Sequence, residues 1–433
     1  MQLPAGYGPF VEGWMRPPSP LVALLPPHLG RPDEAAFRRQ FEQIGAEAAT
    51  DRRLYTPNAE WGFAVRLPAW VAGEQDMEIH VSAQICGAEM EDILQTSQMT
   101  AAEIGQAREA LWAVTLCAEY SEAPLQDYHA HLKALVATVP DVVAVVDVMA
   151  CAPRGGAWAR AAAASRVPPD PASLFTIHAI SPDEGTPGGV WMHSHGLVRC
   201  GCIELEMLNV PAEHTYPLGE LFNAVAAMFV EQGPPPAEEA FEIGQRISLV
   251  WLPWEAALKQ VPDSISGGLP DRDEAHSGPS GVLFVPSRWP WGRRHRPITS
   301  ILKRLTADPV LYMSSMETER MALLAAELFD RFAALHARLG QSDNWVFLVK
   351  IGYRMDGGEE DNREHLWFAV HSIDGDTIDA TLTNEPHGIA RMREGQRGRH
   401  SLLRMSDWAI LCEHGQFGPG SVGELEAILE EEA

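Results

Sequence analysis

The run Asp141-Val-Val-Ala-Val-Val-Asp-Val-Met-Ala150 constrains this chain more than any other stretch. β-Branched residues fill it almost without polar alternation, so a strand built from it must be covered on both faces. Two stretches precede it. Residues 110–120 (ALWAVTLCAEY) read as a strand, and 124–139 (PLQDYHAHLKALVATV) read as a helix with Leu125, Tyr128, Leu132 and Leu135 on one face. Strand, helix and strand at this spacing predict a mixed α/β layer. Upstream, Asp33 caps a predicted helix carrying Phe37, Phe41 and Ile44. Residues 61–70 and 77–85 read as strands, while the remainder of 1–60 is dominated by Pro and turn residues.

A second layer begins at Phe175. FTIHAISPDEGTPGGVWMHSHG predicts a hairpin whose turn is supplied by Pro182, Gly185, Pro187, Gly188 and Gly189. CIELEML (202–208) alternates as a half-buried strand does, and residues 218–232 form an amphipathic helix stopped by Gly233 and three prolines. Two further strands follow at 246–254 and 281–287. Residues 316–340 read as one long helix ended by Gly340, and beyond it short strands alternate with Gly/Asp turns at 356–358 and 374–376. The expected fold is α+β: two mixed α/β layers and a small C-terminal SH3-like β-barrel. The expected boundaries are 1–170, 171–312, a connecting helix at 313–340, and a barrel with an acidic tail at 341–433.

Composition narrows the function classes. The 433 residues carry 33 Lys and Arg against 59 Asp and Glu, a net charge of −26, which repels phosphate and argues against nucleic acid. No apolar run reaches the ~20 residues that span a bilayer. The first residues lack a basic segment followed by an apolar one, so no secretory signal and a cytoplasmic location are expected. Six scattered cysteines without a C-x-x-C pair fit free thiols in a reducing compartment.

The segment Trp191–Glu206 (WMHSHGLVRCGCIELE) holds the densest set of reactive side chains. His193 and His195 share strand parity, as do Cys200, Cys202, Glu204 and Glu206, and these are ligand types for zinc. No Glu-x-x-His or C-x-x-C frame accompanies them. Three readings stay open: a polar sheet face bonded to itself, a groove in which His193, His195, Arg199, Glu204 and Glu206 grip a charged group, and a metal centre drawing on His193, His195, Cys200, Cys202 and Glu204. Cys151 is the one candidate nucleophile, because it follows the buried strand and precedes a helix whose N-terminus lowers a thiol pKa. Its possible partners are Asp147, His178 and His129. In the glycine-rich stretch 263–281, Asp271, Asp273, Glu274 and His276 fit either a divalent ion or a solvated loop. The basic, Trp-containing segment 288–296 fits an internal acidic surface better than nucleic acid. The acidic loop 356–364 lacks the order of a calcium loop. His365, Trp367, Asp407 and Trp408 are expected to line one groove, with at least one of the tryptophans in the core.

The C-terminal motifs FLVKIGYR, NREHLWFAV, LTNEP and MSDWAIL, in that order over roughly residues 341–415, resemble a small bacterial domain of unknown function, family two-three-one-four. Upstream, FTIHAI, WMHSHGLVRCGCIELEML, LPWEAALK and HSGPSGVLF resemble a larger bacterial family of unknown function, four-zero-two-six, which commonly carries that domain at its end. The resemblance implies a cytoplasmic bacterial protein and no particular reaction. The spacing GL-x-x-x-G-x-x-ELE (196–206) is also loosely similar to families found near toxin–immunity loci. Acidity, several domains and no complete catalytic frame lead to the expectation of a non-enzymatic module, immunity- or antitoxin-like, that binds another, basic protein without a cofactor. The alternative is a zinc-dependent hydrolase using the His193/His195 region.

Overall fold

The computed structural model describes all residues except 1–3, 5, 13–14, 50–57, 69–75, 88–93, 95–98, 183–187, 263–264, 273–275, 277, 288–294, 306–314, 343, 359–361 and 432–433. Most of the basic segment, 288–294, and Asp273 and Glu274 of the glycine-rich stretch therefore lie outside the described residues. The chain divides into two compact units, one of residues 1–164 and 169–312, the other of 165–168 and 313–433. Helix and strand occur in comparable amounts, 36% and 32%, so the class is mixed α+β.

The first unit contains two sheets. One has the order β2-β3-β4-β5-β1-β6-β7, built from β1 (Ser19–Leu24), β2 (Glu47–Ala48), β3 (Trp61–Leu67), β4 (Met77–Ile85), β5 (Trp112–Ala118), β6 (Ala144–Asp147) and β7 (Ala152–Gly155). Every neighbouring pair is antiparallel. The valine-rich run supplies β6, where all four residues are buried. Val145 belongs to the main core, and Val146 to a smaller cluster with Val22, Leu24 and Ala107 on the opposite face. Sequence reading missed β1. Prolines at 17, 18, 20, 26 and 27 give it the look of a loop, yet Pro20 sits near its start, opposite Cys117 in the middle of the sheet.

The second sheet has the order β11-β12-β13-β10-β9-β8. Its strands are β8 (Thr176–Ile180), β9 (Val190–His195), β10 (Glu204–Val210), β11 (Phe241–Gly244), β12 (Ile247–Pro253) and β13 (Ser280–Phe284), and only β10 and β13 run parallel. One face packs on helix Thr215–Gln232 through Leu218, Phe222, Val225 and Phe229, in the same core that holds Phe41, Tyr128 and Leu132 from the helices of the first sheet. The opposite face carries Trp191, Leu208, Val250, Leu252 and Phe284 under the segment after β12. The inner strands β9, β10, β12 and β13 are therefore also covered on both sides, whereas the edge strand β8 is part-exposed.

A buried ion pair ties the sheets together. Arg199, in the turn between β9 and β10, is fully buried. It donates to both oxygens of Asp147 at the end of β6 (2.9 and 2.7 Å) and twice to the carbonyl of Leu174 (3.2 and 2.6 Å). Its guanidinium also lies over the rings of Tyr128 and Tyr120. The groove role expected for Arg199 is thereby overturned: the side chain has no surface with which to meet a partner.

In the second unit β14 (Val346–Arg354), β15 (Arg363–Asp374), β16 (Thr377–Leu382), β17 (Arg397–Ser401), β18 (Met405–Cys412) and β19 (Gly415–Phe417) form one antiparallel sheet ordered β17-β16-β15-β14-β18-β19. The described strands make an open sheet whose edges are β17 and β19, with no closed barrel among them, so the expected SH3-like barrel is not borne out. The expected single helix is two, Ser315–Glu327 and Phe329–Leu339, broken at Leu328. They do not merely connect. Ala325, Phe332 and Leu335 enter the core of this sheet beside Phe347, Phe368 and Trp408. No described helix is long and apolar enough to cross a membrane.

Two outcomes follow for the first unit. Breaking the buried pair by Asp147→Asn or Arg199→Met strands one charged or polar partner, and urea denaturation should show a loss of about 3–5 kcal/mol. Arg199→Lys should recover little of it, because a lysine cannot supply the two-pronged bond. His131 is fully buried, and burial pushes its pKa from 6.5 down to about 3, with the cation of Arg199 a lesser cause. The folded state thus holds it neutral while the unfolded chain protonates it. That contribution is complete above about pH 6.5 and is lost as pH falls toward 3. The melting temperature of His131→Gln should decline less steeply over that window than that of the unaltered chain.

Candidate metal centre

The hairpin of β8 and β9 places the site. Its register sets Thr176 opposite His195 and His178 opposite His193, so all three histidines share one face of the sheet. Their ring nitrogens lie within 4.8 Å of one another. His193 Nε2 is 3.1 Å from His195 Nε2 and 3.2 Å from Nε2 of His276, which arrives from the segment before β13. Zn–N bonds of ~2.0–2.1 Å in a tetrahedron put neighbouring nitrogens ~3.3 Å apart, so the His193–His195 separation suits a shared cation, whereas His276, close to His193, falls outside the group whose nitrogens all lie within 4.8 Å of one another.

Electrostatics favour the metal-ready form. Burial first, then the neighbouring imidazoles and Arg272, pushes the pKa of His193 down to about 3, and burial lowers that of His178. Neutral imidazole is the ligating state. The Nδ1 of His193 is buried without a hydrogen-bond partner, so packing orients this ring: Trp191 lies 4.4 Å away, centroid to centroid. Trp191 is fixed in turn by its Nε1–H, which donates to Glu206 at 2.9 Å.

Glu206 anchors the floor of the site. It lies opposite His193 and is 2% exposed. It accepts two bonds from Arg272 (3.0 and 2.7 Å) and a close contact from the Ser280 hydroxyl. Arg272 also donates to the main-chain carbonyl of His276 at 3.2 Å and stacks over Trp254 at 4.4 Å.

The other expected ligands point elsewhere. Glu204 is turned into the tight loop after β9, accepting from Ser194 Oγ (2.5 Å) and from the N–H groups of Gly196 (2.9 Å) and Val198 (3.2 Å). Cys200 and Cys202 are buried in the main core, where desolvation raises the first to about 12 and the second well above its usual value. None of the three joins the imidazoles. His178, expected as a partner for Cys151, and His276, expected with Asp271, Asp273 and Glu274 in a divalent-ion site or solvated loop, lie beside His193 instead.

Cys151 does not stand at a helix N-terminus, because β7 intervenes before the helix at Gly156–Ala164. Burial raises its pKa, with Asp147 and Glu204 adding to the effect. Its proposed partners are engaged elsewhere: Asp147 with Arg199, His129 near the carbonyl of Ala162 (3.0 Å), and His178 among the imidazoles. Iodoacetamide followed by mass spectrometry should therefore find Cys151 labelling slowly near neutral pH. A fast reaction at this thiol would contradict the environment described.

In the second unit Lys350 on β14 lies between Trp367 on β15 and Asp407 on β18, its ammonium 5.4 Å from the Trp367 ring. His365 joins the same face, with Nδ1 2.7 Å from Ser406 Oγ. Trp408 does not: it is wholly buried on the opposite face and donates to the carbonyl of Ala325. Three of the four residues expected to share a groove thus share a face, and the fourth is core.

Residues 71–169 match the N-terminal domain and 177–284 the C-terminal domain of the protein of unknown function DUF4026. Residues 325–431 match DUF2314, an uncharacterized protein conserved in bacteria. The chain thus carries the N- and C-terminal DUF4026 domains in that order, followed by a DUF2314 domain. A Neisseria meningitidis serogroup B protein named as an ankyrin repeat protein is 26% identical over 85 residues, 20% of this chain. The match spans 34% of that relative's length. No solved structure matches the chain.

Proposed function

We propose that the first unit is a metal-binding unit that takes a divalent transition ion of the zinc class through His178, His193 and His195. The observation that carries this reading is the convergence of three imidazoles from two paired strands onto one point. Imidazole donors suit zinc, copper and nickel better than magnesium or calcium. The chemistry such an ion supplies is activation of a bound water, so metal-dependent hydrolysis is the reaction class that this reading carries. Paired strands preset the ligands, with His193 held between Trp191 and the other rings.

A second reading concerns protein recognition by the second unit. It is supported by the half-exposed face of Trp367, Lys350 and Asp407 and by the name of the Neisseria relative. The chain's net charge of −26 favours a basic partner. The immunity- or antitoxin-like version of this reading draws on the 196–206 spacing, yet that stretch has structural duties. Gly196 takes φ +109, with room for no Cβ beside the Leu174 carbonyl, Gly201 takes φ +74, and Arg199 and Glu204 hold the turn.

The test is elemental analysis of the purified chain after exposure to Zn(II) and gel filtration. About one ion per chain is expected, with loss in His193→Ala and retention in Cys200→Ser. Saturation at 100 times the dissociation constant should stabilise the fold by about 2.7 kcal/mol against the EDTA-treated protein. Clean metal-free protein, with melting unmoved by Zn(II), ends the metal reading.

A further inference from the structure

The sheet supplies three imidazoles, which leaves one position of a tetrahedral ion undecided. That position separates two kinds of centre. A site filled by protein ligands is closed, whereas a site with three protein ligands keeps a place for water. His276 bears on the choice. Its Nε2 is 3.2 Å from that of His193 and its ring centroid 5.4 Å from that of His195, while its nitrogens fall outside the 4.8 Å group of the three strand imidazoles, so it joins them only after a turn of its ring. It comes from outside the sheet, and its main chain is tied to the floor of the site through a buried ion pair. Arg272 and Glu206, each with a side chain 3% exposed, meet at 2.7 Å. The same Arg272 nitrogen that binds Glu206 at 3.0 Å also reaches the His276 carbonyl.

A buried guanidinium–carboxylate pair is seldom worth more to stability than an apolar pair of the same size. Here the pair sits one hydrogen bond away from the fourth imidazole, with Glu206 in turn fixed by Trp191 and Ser280. A role in holding a ligand accounts for its place, as hydrogen-bonded neighbours of metal ligands commonly do.

We propose that His276 is the fourth ligand of this centre and that Arg272, braced by Glu206, is the positioning residue that holds it there. The resting ion is then surrounded by protein nitrogens, and an outside ligand or water enters only in place of His276. This inference rests on the metal reading above. It goes beyond that reading by setting the coordination number and by naming a residue that touches no metal.

The experiment uses the full chain loaded with Co(II), whose visible spectrum reports coordination number, with sodium azide as the outside ligand. Zn(II) affinity is measured by competition with a chelating dye, and melting in EDTA checks that each variant is folded. The unaltered protein should give an intense four-coordinate spectrum that azide leaves unchanged. His276→Ala should still bind one ion but at least roughly tenfold more weakly, with a spectrum that azide now shifts. Arg272→Gln should lose roughly 10–100-fold in affinity, and Arg272→Lys should fall between it and the unaltered chain. If His276→Ala changes neither spectrum nor affinity, His276 is not a ligand. If it abolishes uptake as His193→Ala does, the strand imidazoles do not hold the ion without it, and the proposal fails in that form. If Arg272→Gln behaves as the unaltered protein while His276→Ala does not, the positioning role is overturned. A chain that binds neither Zn(II) nor Co(II) removes the metal reading itself, an outcome distinct from each of these.

Discussion

The Arg199–Asp147 pair is the interaction on which the first unit depends. A guanidinium with no exposed surface must find its counter-charge and its remaining acceptors inside the protein, and here Asp147 and the Leu174 carbonyl supply them. The carboxylate stands at the end of a central strand of one sheet, and the guanidinium in the turn that joins two strands of the other. Satisfying that charge fixes where β9 ends. Glu204 repeats the logic from the far side of the turn, collecting two main-chain N–H groups that would otherwise be buried without partners. The imidazole-bearing strand is thus pinned at its C-terminal end by polar contacts and along its length by Met192 and Trp191 on opposite faces.

Much of this architecture is legible in the sequence. The valine run announces a doubly covered strand, and alternation in CIELEML gives β10 its two faces. The hairpin from Phe175 to Gly196 is visible from its turn residues. In the register of that hairpin His178 falls opposite His193, so strand parity extends to the third imidazole. His276 is beyond its reach. It lies some eighty residues further along, and only the parallel pairing of β10 with β13 brings its segment alongside. The prolines around β1 mask a strand because their main cost, a missing N–H, is small near a strand's first residues. Parity also misled at Glu204, Cys200 and Cys202. Gly196 and Gly201, both at positive φ, interrupt the strand between the histidines and the glutamates, so alternation cannot be carried across them.

The charged residues divide by what surrounds them. Arg199, Asp147, Arg272 and Glu206 are buried and spend their charge on one another, whereas Arg397–Asp379 and Arg399–Asp374 on the outer strands of the second unit sit in water, where such pairs contribute little. Sequence composition sees all of these alike. The buried pairs neutralise their charge locally, Arg272–Glu206 beside the imidazoles of the first unit.

His178 lies on β8, the outermost strand of its sheet, which is bonded to a neighbour on one side only. Terminal strands open more readily than central ones, so a ligand mounted there couples occupancy to the breathing of the hairpin. An ion held between β8 and β9, as proposed, would act as a clasp across that margin, tying Thr176–Ile180 to its one neighbour and leaving the border of the sheet to loosen first when it departs.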